Sequence, residues 1–221
     1  MEYKISTIKL DGILAEREIP SFRGAIIELS KNNHLFHNHT DEGKCILHYP
    51  HVQYKILDGK ASLVGIADGA DSLESLFQMG GNYQLQIGRE FRDFTVISKT
   101  SFYFEPSDSV GQKRRYIIDG WLPLNKSNYI ENKETSSLSS RVLQLDAVLK
   151  GNILSLYKNL HVFFNERIEA NIVTLRPRNA TFKRVKMVSY DTVIETNVAL
   201  PEHCGIGKGV SHGFGTVKSL H

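Results

Sequence analysis

The sequence predicts an α+β fold made of two tandem ferredoxin-like domains, residues 1–110 and 111–221, the second a variant that carries a glycine-rich loop near its end. Three observations lead there. The apolar periodicity of the first half runs strand, helix, hairpin, helix, strand, which is the ferredoxin-like order. A polar connection, Ser107 to Lys113 with Pro106 before it, follows that set and marks a boundary near residue 110. Beyond it the pattern is strand, long helix, then strands, so the second half reads as the same unit with its second helix short or absent.

Tyr3 to Leu10 alternates imperfectly through Tyr3, Ile5, Ile8 and Leu10 and reads as a first strand, turned by Asp11-Gly12. Ser21 to Lys31 follows Pro20 as a helix, with Phe22, Ala25, Ile26 and Leu29 on one face, and Asn32-Asn33 ends it. Val52 to Leu57 and Ala61 to Ile66 form a hairpin across Asp58-Gly59, a pair whose residues accept the positive φ that a tight hairpin turn demands. Asp71 to Gln78 is a short helix stopped by Gly80-Gly81; Tyr83 to Ile87 and Phe94 to Ile97 return as strands, and Phe102 to Glu105 adds an outer one. In the second half Tyr116 to Leu124 is a strand and Asn125 to Thr135 a polar loop. Leu138 to Leu160 is the longest helix, with Leu138, Val142, Leu145, Leu149, Ile153, Leu156 and Leu160 three or four apart. Ile172 to Leu175, Val185 to Val188, Thr192 to Val198 and Thr216 to Leu220 are the remaining strands.

At 221 residues with 41% hydrophobic content the chain can bury a sizeable core. No apolar run approaches the roughly 20 residues of a membrane span and the first residues lack a signal-peptide pattern, so a cytoplasmic protein with no membrane partner is expected. Cys45 and Cys204 stand far apart in no metal spacing, which argues against a disulfide framework or a zinc ribbon. The net charge is only +3, but the halves differ: residues 1–110 hold 11 Lys+Arg against 15 Asp+Glu, and residues 111–221 hold 16 against 9. A basic face supplied mainly by the second half fits a nucleic-acid partner.

Three stretches could carry chemistry. Five of the nine histidines, His34, His37, His39, His48 and His51, fall within eighteen residues. His37 and His39 share a face if locally extended, and imidazole can both accept and donate a proton near neutral pH. A metal site could draw on the same residues with Asp41 or Glu42, although there is no HExxH, and ordinary loop histidines are the third reading. Arg176, Arg178, Lys183, Arg184 and Lys186 place five cations in eleven residues without an acid, around a strand pair that could follow a phosphate backbone or simply be solvated. Gly205, Gly207, Gly209, Gly213 and Gly215, with Lys208 among them, form a loop whose backbone can lie bare against phosphate oxygens or close a mobile turn.

The glycine loop before a last strand, with Phe214 between two glycines, resembles that of the RAMP superfamily of CRISPR-associated RNA-binding proteins. More of the chain is similar to one family within it. Phe22-Arg23-Gly24-Ala25-Ile26, Phe36-His37-Asn38-His39, Tyr49-Pro50-His51-Val52-Gln53-Tyr54-Lys55 and Gly65-Ile66-Ala67-Asp68-Gly69 resemble the amino-terminal half of the CRISPR-associated precursor-crRNA-processing endoribonucleases, b branch. Trp121-Leu122-Pro123-Leu124-Asn125 and the glycine loop resemble its carboxyl half.

The resemblance implies two ferredoxin-like, RRM-like domains and cleavage of CRISPR repeat RNA without a metal or cofactor. The ribose 2′-OH would attack the adjacent phosphate, leaving a 2′,3′-cyclic phosphate and a 5′-OH. His37 and His39 would share the base and acid roles, Tyr49 would orient the phosphate, and Arg23 or Lys55 would stabilise the phosphorane. The glycine loop and basic strands would hold RNA; CRISPR effector subunits and a second copy of the chain are further partners. Two other classes remain open: a non-catalytic RNA-coating subunit of an effector complex, and a metal-dependent hydrolase that uses the histidines as ligands.

Overall fold

The computed structural model of the chain describes residues 2–37, 49–107, 109–123 and 137–220. They divide into two compact units, the first Met1–Glu105 with Val210–Gly213, the second Pro106–Gly209 with Phe214–His221.

Unit 1 contains β1 (Tyr3–Ile13), α1 (Ile19–Leu29), β2 (Val52–Leu57), β3 (Lys60–Ile66), α2 (Asp68–Leu76), β4 (Asn82–Ile87) and β5 (Glu90–Phe104). The strands make one antiparallel sheet in the order β2-β3-β1-β5-β4. The period of two along each strand sends Ile8, Leu10, Tyr54, Leu63, Phe94 and Val96 into a core that Phe22 and Ile26 of α1 and Leu73 of α2 complete. The Phe22 ring meets Tyr54 edge-on at 6.1 Å and Phe94 at 6.0 Å. The β2–β3 hairpin turns where expected, with Asp58 at φ 52° and Gly59 at φ 75°.

The far end of this sheet differs from expectation. The two short strands expected at residues 94–97 and 102–105 are parts of the continuous β5, which pairs with β1 from Tyr3↔Phe104 to Leu10↔Val96. Phe102 to Phe104 is therefore not a separate strand but the end of β5, paired with Tyr3 to Ile5 of β1, while β4 pairs only with residues 90–95 of β5. The cause of the misreading is the register shift at Lys9/Leu10, which exchanges odd and even positions along β5 and breaks the alternation that sequence reading follows.

Unit 2 contains β6 (Arg114–Trp121), α3 (Leu138–Asn159), β7 (Ala170–Phe182), β8 (Val185–Thr196) and β9 (Thr216–Ser219), with antiparallel strands in the order β7-β8-β6-β9. The Ser137 hydroxyl caps α3 by accepting from Ser140 N at 3.0 Å. Leu145, Leu149, Ile153, Leu156 and Leu160 are buried along the helix, as the spacing predicts. Asp146 Oδ1 accepts from Ile172 N at 2.8 Å, and Asn152 Oδ1 accepts from Trp121 Nε1 at 3.0 Å, so polar bonds tie the helix to β7 and β6. Instead of three short strands, β7 and β8 form one long hairpin, turned by Lys183 and Arg184 at φ 49° and 65°. The turn lacks glycine, which hid it from the sequence. No helix among the described residues is long and apolar enough to cross a membrane.

Candidate functional site

In unit 1 the chain leaves α1 through Lys31 and Asn32, both at positive φ, and enters a 3-10 turn, His34–Phe36, whose Leu35 N donates to Asn33 Oδ1 at 3.0 Å. Phe36 is buried and its carbonyl accepts from Tyr54 Oη at 2.9 Å. His37 follows in extended backbone and lies half-buried. Its backbone N–H donates to His34 O at 3.2 Å and its ring Nε2 lies 3.0 Å from Asn32 O. A ring nitrogen facing a carbonyl must carry the proton, which puts the lone pair of the neutral imidazole on Nδ1. His34 and His51 are exposed; His39 and His48 lie outside the described residues, as do Asp41 and Glu42.

Arg23 projects from α1 with its guanidinium 5.9 Å from the centre of the Tyr54 ring. Its Nε is buried with no hydrogen-bond partner among the described residues. Tyr54 has no exposed surface, and burial pushes its hydroxyl pKa up from the ordinary value, against a smaller downward pull from Arg23, so the phenol stays a proton donor. Tyr49 is half-buried just before β2. Lys55 differs from the expectation of an RNA contact: it is fully buried within β2 and presents no surface to a solvent-borne backbone.

The glycine loop is divided between the units. Val210–Gly213 belongs to unit 1, where it makes a 3-10 turn, Val210–His212, packed against α1 and β2. Gly213 has φ 89°, and a Cβ there would come within 2.5 Å of Ile19 Cδ1 and 3.4 Å of Tyr54 O. Arg23, the Phe36–His37 peptide group and Gly213 are thus each placed against one buried tyrosine, Tyr54.

The remaining glycines lie in unit 2 and meet protein rather than open space. Gly205 bridges Thr216, Gly207 packs on Trp121 and Leu122 O, Gly209 on Phe214 and Phe182, and Gly215 on the Ile206 backbone. Ile206 N donates to Gly215 O, Lys208 N to Leu122 O and Gly215 N to Gly120 O, at 2.8, 3.0 and 3.2 Å. The N–H groups of Ile206, Lys208 and Gly215 are thus bonded to protein carbonyls.

Cations surround the distal part of the β7–β8 hairpin. By register Arg176 and Arg178 share one face with Phe182, Lys186 is on the other, and Lys183 and Arg184 form the tip. Arg176, Lys183, Arg184, Lys186 and Lys208 are exposed, and none forms an ion pair among the described residues. Arg178 is different, held by Asp191 Oδ1 at 3.1 Å, an oxygen that also accepts from Gly120 N. Lys183 Nζ and Lys208 Nζ lie 5.7 and 5.8 Å from the centre of the Phe182 ring, which meets Phe214 edge-on at 5.9 Å. The glycine loop and the hairpin tip therefore converge on Phe182.

Sequence reasoning gave no separate role to Tyr54 and Asp191. The alternation Val52, Tyr54, Ile56 marks Tyr54 as inward-facing, but nothing local announces that its hydroxyl reaches Phe36. Asp191 pairs across the hairpin with Arg176 in register, yet bonds Arg178 instead.

Comparison with known proteins gives the same picture across the whole chain. The chain is 28% identical to a protein described as "Crystal structure of Cas6b", covering 100% of each chain at a TM-score of 0.89. It is 25% identical, again over 100% of each chain and at a TM-score of 0.75, to "Crystal structure of CRISPR RNA processing endoribonuclease Cas6b". An uncharacterized protein of Methanocaldococcus jannaschii is 34% identical over 101 residues, 46% of this chain and 68% of that one. Residues 1–95 match the Cas6b N-terminal domain and residues 110–220 the Cas6b C-terminal domain, and the chain therefore belongs to the Cas6b family.

Proposed function

We propose that this chain is an endoribonuclease that cleaves CRISPR repeat RNA to mature crRNA without a metal ion or cofactor. The observation that carries the reading is the His37 turn, in which an imidazole is held at its backbone and its ring while Tyr54, bonded to the preceding carbonyl, also carries Arg23, whose buried Nε has no hydrogen-bond partner among the described residues. A base removes the proton of the ribose 2′-OH, the 2′ oxygen bonds to phosphorus, and the bond from phosphorus to the 5′ oxygen breaks as an acid protonates it. The products are a 2′,3′-cyclic phosphate and a 5′-OH. His37 and His39 share the base and acid roles, Tyr49 orients the phosphate, and Arg23 offsets the charge that builds on the phosphorane.

RNA is held by the hairpin cations that form no ion pair among the described residues, Arg176, Lys183, Arg184 and Lys186, with Lys208 of the glycine loop. Arg178 contributes less because Asp191 already holds it. CRISPR effector subunits and a second copy of the chain are further partners in this reading.

The test is incubation of the purified protein with repeat RNA in EDTA, beside the same RNA with one 2′-deoxy substitution at the cut. The expected outcome is cleavage of the first and sparing of the second, with the rate lowered about 10²- to 10⁴-fold in His37→Ala and in His39→Ala. Strict dependence on zinc or manganese would move the assignment to a metal-dependent hydrolase; binding without cleavage would move it to an RNA-coating subunit.

A further inference from the structure

We propose that Tyr54 is a positioning residue for the cleavage site, acting through the peptide group that carries His37. This inference rests on the assignment of His37 to the cleavage reaction.

The Phe36 carbonyl and the His37 N–H belong to a single peptide plane. Tyr54 Oη donates to the carbonyl at 2.9 Å and His34 O accepts from the N–H at 3.2 Å, so the plane is held at both ends. A plane fixed in this way cannot rotate, and its orientation sets the direction in which the His37 side chain leaves the backbone. The other end of the ring is held by Asn32 O. With the tyrosine hydroxyl removed, the plane keeps one anchor of two and the imidazole is free to swing.

Tyr54 is suited to this task because it is itself immobile. It is fully buried, pairs with Leu63 in the middle of the β2–β3 ladder, and packs its ring on Phe22. The opposite requirement holds for a group that touches RNA, so Tyr54 is not a catalytic residue. Its ring also carries the Arg23 guanidinium, and its backbone oxygen is the floor beneath Gly213. One side chain thus contacts both the peptide group that carries His37 and the Arg23 guanidinium.

The test is Tyr54→Phe, which deletes one oxygen and keeps the ring, its packing and the place of Arg23. Misplacement by about an ångström costs on the order of 10²-fold in rate. Single-turnover cleavage at saturating protein is expected to fall ten- to hundred-fold, while the Kd for repeat RNA stays within about twofold of the unaltered protein. His37→Ala should then cost less in the Tyr54→Phe background than alone, since a residue already misaimed has less to lose; a merely structural role would leave the two effects additive. Para-amino-phenylalanine at position 54 restores a donor and should recover most of the rate, which keeps the test open if Tyr54→Phe proves poorly folded. An unchanged rate in Tyr54→Phe, additive effects with His37→Ala, or parallel losses of rate and affinity would each overturn the proposal. If the unaltered protein does not cleave repeat RNA at all, the assignment of function fails first and takes this inference with it.

Discussion

Gly215 sits at φ 67° with the space for its missing Cβ taken by the Ile206 carbonyl, whereas Gly59 at φ 75° has nothing within 4 Å of that space. The pair separates two demands on a glycine. Gly59→Ala meets only the left-handed backbone and is expected to cost about 1–2 kcal/mol. Gly215→Ala must also displace backbone, and its cost should exceed about 3 kcal/mol, read as the shift in urea midpoint between the variants. The contrast bears on legibility at this scale. That the loop needs glycine was readable from five of them in eleven residues; that they pack against Trp121, Phe182 and Phe214 was not, because Trp121 and Phe182 lie far away in sequence. Lys55 shows the same limit: alternation along β2 cannot tell a buried lysine from one that faces solvent.

The elements were legible where local chemistry and tertiary packing agree. The β2–β3 hairpin announced itself through Asp58-Gly59, and α3 through leucines and isoleucines at helical spacing. Legibility failed at β5, whose register shift breaks its period, and at the β7–β8 turn, where Lys183 and Arg184 take a conformation that glycine usually serves. That turn gives an exposed tip with two adjacent cations and no carboxylate partner among the described residues. Lys183→Ala with Arg184→Ala is expected to lower the slope of log affinity against log salt by about 1 to 2, each lost phosphate contact contributing about 0.7 to 0.9. Arg178→Ala should change that slope little, since Asp191 competes for the guanidinium. Filter binding of repeat RNA across a range of salt concentrations measures both.

For the whole molecule, the division into units follows the chain except at Val210–Gly213. The sequence supports a boundary near residue 110, but the allegiance of four residues in a glycine loop is decided by packing on Ile19 and Tyr54 and leaves no local mark. If those residues belong energetically to unit 1, they should share its stability. Leu63→Ala, in the unit 1 core, is expected to cost about 2–5 kcal/mol. It should speed hydrogen exchange in a peptide spanning 210–213 along with that of β1 and β3, and leave β9 unaffected. Acceleration confined to residues before Glu105 would assign the segment to unit 2 instead.

The same division orders events during synthesis. Domains usually fold from the amino terminus as the chain emerges. Here the last piece of unit 1 is translated only after residues 106–209, which supply most of unit 2. A nascent chain can assemble the sheet and helices of unit 1 early, but it cannot close the turn over Tyr54 until almost all of unit 2 has been made. Unit 1 therefore begins to emerge before unit 2 and is finished only after most of unit 2 has been made.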